Sequence, residues 1–181
     1  ALQETTNMLQ RMRELTVQSA NDTNSADDRA SLDDEFQALL LEIDRIAGST
    51  TFNSVEIING NGGTLTFQVG ANNSTGGFDQ IDVEVGDIDA TTGTGGLDIA
   101  GLVIDDTNTD IVSVIGNIDA AIVAVDTARG TLGAIQSRFE STIANLMNIS
   151  ENLSASRSRI MDADIAMETA EMTKANILQQ A

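Results

Sequence analysis

The sequence has no cysteine and no histidine. That removes disulfides, thiol nucleophiles, imidazole metal ligands and the usual Ser–His and Cys–His pairs from consideration. Tryptophan and tyrosine are missing too, and five Phe are the only aromatics, so any core must be aliphatic. Long helices zipped by Ile, Leu, Val and Met suit that composition better than a sandwich built on aromatic anchors. Positive charge is scarce: nine Lys and Arg stand against 28 Asp and Glu, for a net charge of −19. No Lys or Arg lies between Arg45 and Arg129. So acidic a surface repels phosphates and anionic headgroups, and neither nucleic acid nor a membrane is an expected partner. No uninterrupted apolar run reaches the roughly 18 residues of a spanning helix, so no membrane insertion is expected. No basic n-region or cleavage site opens the chain at Ala1, and a cleaved signal peptide is not expected either. The pattern is under way at Ala1 and still running at Gln179-Gln180-Ala181, as in a piece cut from something longer.

What is present divides into helix, helix, a glycine-rich β segment, one long helix and a tail. Residues 1–50 hold two amphipathic helices. Leu2, Met8, Leu9, Met12 and Leu15 recur at helical spacing in the first, and Leu32, Phe36, Leu39, Ile43 and Ile46 in the second. Asn21 to Ser25 is a turn cluster, Ser25 a natural N-cap ahead of Asp27 and Asp28, and Gly48 a natural C′ residue. Across 51–106 apolar and polar residues alternate around Val55, Ile57, Leu65, Phe67, Val69, Ile81, Val83 and Val85, which predicts strands with one buried face. Asn59-Gly60-Asn61-Gly62-Gly63 predicts a hairpin connection between the first two runs. Gly76-Gly77 and Gly93 to Gly96 mark further turns, with a loose acidic loop near 86–97.

The long helix is expected over 107–155. Ile111, Ile118, Val125, Leu132, Phe139, Leu146 and Leu153 fall at every seventh position, and Ile115, Ile122 and Ile143 hold a second register. About six heptads of this kind describe a rod that packs along its length. The fold class is therefore mainly α with a small β part: an elongated antiparallel helical bundle or coiled coil, capped by a hairpin-rich segment. Gly130 and Gly133 interrupt the rod, each costing up to about 1 kcal/mol relative to Ala, which close approach by a neighbouring helix would offset.

No catalytic constellation, cofactor site or metal site is expected. Asp106-Thr-Asn108-Thr-Asp110 resembles the opening of a calcium loop, but Ile111 stands where glycine is needed and no Glu closes the loop. Helix capping by Thr107, Asn108 or Thr109 explains the same residues. Acid pairs such as Asp33 with Asp34, or Asp162 with Asp164, sit on polar helix faces without a partner base. The glycine-rich stretches match no phosphate loop and no dinucleotide fingerprint. On the first helix Arg11, Glu14 and Gln18 form a polar row beside the apolar Leu9, Met12 and Leu15, which suits either solvent or a docking partner.

At this row the sequence resembles a known family. Leu9 to Asn21, reading LQRMRELTVQSAN, is similar to the N-terminal signature of bacterial flagellins. Glu42-Ile43-Asp44-Arg45-Ile46 with Thr51-Phe52-Asn53 resembles their helix end and hairpin entry, and Phe67 to Asn72 their next strand and turn. Arg129 to Phe139 resembles the returning helix, and Ser158 to Glu168 the start of the C-terminal segment. Hook–filament junction proteins are relatives and remain an alternative. So do a generic coiled-coil surface protein and a calcium- or carbohydrate-binding module.

The resemblance implies a non-enzymatic subunit of the extracellular flagellar filament, exported by the flagellar type III system and used for motility. Its partners would be other flagellin subunits, an export chaperone engaging the tail from 156 to 181, and the Toll-like receptor that senses flagellin. Carried over by position, the receptor or subunit contacts are Arg11, Leu15, Gln18 and Glu35; Met12 and Thr16 depart from the family in side-chain detail. The outer variable domains are expected to be absent or minimal, and the family's outermost terminal segments to lie beyond Ala1 and Ala181. The isolated tail is expected to fray.

Overall fold

A computed structural model describes residues 1–60, 63–71, 79–91, 96–108 and 110–180. The chain falls into two compact units, residues 1–135 and 136–181. Its helices are α1 (Leu2–Ser19), α2 (Ala26–Ser49) and α3 (Ile111–Gln180). Four short strands, β1 (Thr51–Phe52), β2 (Val55–Glu56), β3 (Thr64–Gln68) and β4 (Gln80–Glu84), make two antiparallel pairs. The fold is mostly helical with small strand pairs, as the residue periodicities predict.

Local chemistry accounts for the helix ends. Ser25 caps α2 by accepting from the Asp28 backbone N–H at 3.2 Å, and the Asp28 carboxylate accepts from the Ser25 backbone N–H at 3.1 Å. This reciprocal box satisfies two N–H groups that a helix start otherwise leaves unpaired. Gly48 does not end α2 as expected. The helix runs to Ser49, and Thr50 closes it by donating its N–H and its hydroxyl to the Ile46 carbonyl, at 3.0 and 2.6 Å. The hydroxyl supplies the second donor that a left-handed glycine turn would otherwise bring. At α3, Asp110 rather than Thr107 or Asn108 does the capping: its carboxylate accepts from the Ser113 backbone N–H at 3.2 Å. Thr109 lies outside the described residues.

Strand pairing differs from the expected order. The chain reverses at Asn53 and Ser54, both left-handed with φ of 51° and 64°, and β2 folds straight back on β1. Two consecutive positive φ values give the twist a two-residue hairpin needs. β3 then pairs with β4, from Thr64 opposite Glu84 to Gln68 opposite Gln80. β2 and β3 are thus not partners, contrary to the hairpin expected between them. Gly60 is needed after β2, since its φ is +77° and a Cβ would lie 2.5 Å from the Asp87 carboxylate. Asn61, Gly62, Gly76-Gly77 and Gly93 to Gly95 lie outside the described residues.

The core of the first unit joins four sources, with Ile58 after β2 added to them. α1 gives Leu9, Met12 and Leu15; α2 gives Phe36, Leu40 and Ile43; α3 gives Val114, Ile118, Ala121 and Val125. The fourth source is the segment between β4 and α3, which buries Ile88, Ala90, Leu97, Ile99 and Ile104. Its described part corrects the expected loose loop. Two α2 carboxylates hold it: Asp44 accepts from the Ala90 N–H and Asp33 from the Ile104 N–H, each at 2.8 Å. Gln37 donates to the Leu102 carbonyl at 2.9 Å, and the Ser19 hydroxyl donates to the Ile104 carbonyl. A strand-free segment must find partners for its buried backbone groups, and α1 and α2 provide them.

The second unit is the later part of α3. The helix does not stop near 155 but continues to Gln180. No glycine occurs after Gly133 and no proline anywhere in the chain, so nothing in the sequence breaks it. α3 also contains an 18-residue window of mean hydropathy 1.6, long and apolar enough to cross a membrane by length and composition alone. Polar residues are interspersed through it, so it is not an uninterrupted apolar run. α3 packs Val114, Ile118, Ala121 and Val125 into the core, and Asp119 of the same helix pairs with Arg13 at 2.6 Å.

Candidate functional site

The polar row on α1 is bound into a small charged cluster. Leu9, Met12 and Leu15 turn inward, which leaves Arg11, Glu14 and Gln18 on the exposed side. Arg11 pairs with Glu35 of α2 at 2.7 Å and with Glu14 one turn on at 3.3 Å. The Glu35 hydrogen bond, helped by the one to Glu14, raises the Arg11 pKa above its ordinary value, so the guanidinium is charged at every accessible pH. Arg13, on the neighbouring side, is raised likewise by its bond to Asp119. This row displays fixed charges and hydrogen-bonding groups at defined spacing.

Of the four contact positions inferred from sequence, Arg11, Gln18 and Glu35 are exposed or partly so and lie on this face. Leu15 does not join them. It is 0 % exposed and belongs to the core, because the spacing that aligns it with Leu9 and Met12 turns it inward. Its influence on the surface is through backing the helix, not through contact.

The heptad positions divide between the units. Phe36, Ile43, Ile118 and Val125 are buried, while Leu32, Ile111 and Leu132 are half-buried. In the second unit Phe139 is half-buried, but Leu146 and Leu153 are 43 % and 65 % exposed, and Ile160 is exposed as well. Leu146 and Leu153 were expected in the bundle core. A unit consisting of one helix has no second element to cover them, so the apolar row continues as an open face. Cβ atoms at Gly130 and Gly133 would meet nothing within 4 Å among the described residues, so the close helix approach expected there is not present among them.

Charge divides as sharply. Residues 1–135 hold five Lys and Arg against 22 Asp and Glu, and residues 136–181 four against six. The open apolar face therefore lies on the nearly neutral unit. Asp105 and Asp106 do not gather into a metal site: Asp105 accepts from the Thr107 hydroxyl and backbone N–H, Asp106 pairs with Arg29, and no cluster of three potential ligands occurs among the described residues. Asp162 accepts from the Ser158 hydroxyl at 2.9 Å, and the side chain of Asp164 lies outside the described residues.

Comparison with known proteins places this arrangement. Residues 1–62 match the family model of the bacterial flagellin N-terminal helical region, and residues 115–181 that of the C-terminal helical region. The chain belongs to the flagellin family. It is 46 % identical to a flagellin of Halalkalibacterium halodurans over 182 residues, covering all of this chain and 64 % of that relative. It is 38 % identical to flagellin FlaB1 of Treponema pallidum, covering 99 % of this chain and 65 % of the relative. The chain thus spans slightly less than two thirds of the length of these two flagellins. The crystal structure of Bacillus cereus flagellin matches with a TM-score of 0.63 and 32 % identity, over 80 % of this chain and 78 % of that one. The two flagellin regions supply the helices: α1 and α2 come from the N-terminal region, and nearly all of α3 from the C-terminal one.

Proposed function

We propose that this flagellin is a structural, non-enzymatic subunit of the bacterial flagellar filament, working outside the cell by association with copies of itself. The observation that carries this is the open heptad face of α3. Leu146, Leu153 and Ile160 continue the spacing of Ile118 and Val125 yet remain exposed, and an aliphatic seam of that kind gains free energy only when covered. Membership of the flagellin family supplies the partner class. Export by the flagellar secretion route, and capture of residues 156–181 by an export chaperone, belong to the same proposal. The test is electron microscopy of the chain extended at both ends by the matching segments of the H. halodurans flagellin. Filaments, or entry into filaments of that relative, are expected; persistent monomers under conditions that polymerise the relative would reject the proposal.

A second reading concerns the α1–α2 face. Arg11, Gln18 and Glu35 offer a rigid charged surface for the flagellin-sensing Toll-like receptor, and subunit packing over the same face would hide it. The family resemblance at Leu9 to Asn21 and the Arg11–Glu35 pair support it.

A further inference from the structure

The sequence confines oxidative side-chain chemistry to one residue type. With no Cys, His, Trp or Tyr, the six methionines are the chain's only readily oxidised side chains. They occupy two environments. Met12 is fully buried and Met8 packs against the same core. Met147, Met161, Met167 and Met172 all stand on α3 in the second unit, between 51 % and 68 % exposed.

Their placement on the helix is not random. At about 100° per residue, Met167 falls in line with Leu153 and Ile160, and Met161, Met172 and Met147 lie on the side of Ile143 and Ile165. Met167 therefore belongs to the apolar face that carries Leu146, Leu153 and Ile160, and the other three thioethers flank that face, roughly 80–120° round the helix on the side of Ile143 and Ile165.

We propose that these four methionines form an oxidation-sensitive site through which hydrogen peroxide, or another small peroxide, controls self-association of the chain. This rests on the filament reading above. A thioether sulfur attacks one peroxide oxygen, the O–O bond breaks, and an S–O bond forms. The second oxygen leaves as water after taking up the proton, so sulfur loses two electrons and the peroxide gains them. The product sulfoxide is polar and a hydrogen-bond acceptor, and an aliphatic seam offers it no donor. One such group on the seam and three along its flank oppose its burial together, whereas burial after assembly shields the sulfurs. Reduction of the sulfoxides restores the face.

The chain, extended at both ends as above, is treated with hydrogen peroxide, mapped by peptide mass spectrometry, and assayed by sedimentation at high ionic strength. Sulfoxide is expected at Met147, Met161, Met167 and Met172 well before Met12. Most of the pelleted fraction should be lost on oxidation and regained after methionine sulfoxide reductase treatment. The M147L/M161L/M167L/M172L variant, with folding checked by circular dichroism, should associate before and after peroxide. Association unchanged by sulfoxides, or lost equally in that variant, overturns this inference alone. If the variant fails to associate even untreated, reductase recovery of the wild-type chain decides, and no recovery overturns it. An untreated extended wild-type chain that never associates sinks the filament reading and this inference with it.

Discussion

Arg11 of α1 and Glu35 of α2, 24 residues apart in sequence, form a 2.7 Å ion pair on the exposed side of the two helices. Both side chains are nearly half exposed, so solvent screens the attraction and the pair contributes little to folding. The R11A/E35A double variant is expected to unfold at nearly the same temperature as the wild type. If the face binds the flagellin-sensing receptor, the same variant should be strongly impaired in a receptor-reporter cell assay. Undiminished signalling would reject that assignment.

The α2 capping box gives a pH prediction. The Ser25 hydroxyl, and after it the Ser25 backbone N–H, hold the Asp28 pKa below its ordinary 3.8. A carboxyl whose pKa is depressed on folding stabilises fully above its unfolded value, and that contribution is lost as pH falls through the folded value. Asp28→Asn should therefore be less stable than wild type at neutral pH, with the gap narrowing once the pH drops below 3.8. Urea denaturation across that range measures it. Ser25→Ala removes the other half of the box and should cost about 1 kcal/mol at neutral pH.

Phe36 and Leu153 test where the core ends. Phe36 is fully buried among residues of α1, α2 and α3, and Phe36→Ala should cost about 3–5 kcal/mol in equilibrium denaturation. Leu153→Ala, on the open face, should leave the monomer's stability unchanged while weakening self-association. Equal destabilisation by both would show that the face is covered within the chain.

Gly130 and Gly133 separate folding from assembly. Because no described residue occupies the space a Cβ would enter, Gly130→Ala and Gly133→Ala should each raise α3 stability by up to about 1 kcal/mol. Amide exchange through 120–140 would report it. If a second copy packs closely over these positions, the stabilised variants will associate less well than the wild type.

Much of this was legible in the residues. The α1 and α2 stripes, the Ser25 cap and the heptad row of α3 are local periodicities, and a periodic face is written directly in sequence. Strand pairing was not, because Val55-Glu56 could fold back on Thr51-Phe52 or forward onto Thr64–Gln68, and the choice fell to left-handed Asn53 and Ser54. Nor was the packing of residues 88–91 and 96–104 legible. Its order comes from Asp33 and Asp44, some 50 to 70 residues upstream, and such long-range bonds leave no trace in composition. Leu15 shows the limit of transfer by position, since a residue matching a contact motif can still be turned inward by its own helix.

The uneven charge has an outcome for how copies meet. Residues 1–135 of two molecules repel across about 30 Å at 0.01 M salt but only about 8 Å at 0.15 M, while residues 136–181 are almost indifferent. In dilute buffer only encounters led by the weakly charged helix survive long enough to mature. Brine admits the remaining orientations, so the surrounding electrolyte sorts collisions by geometry before any contact is made.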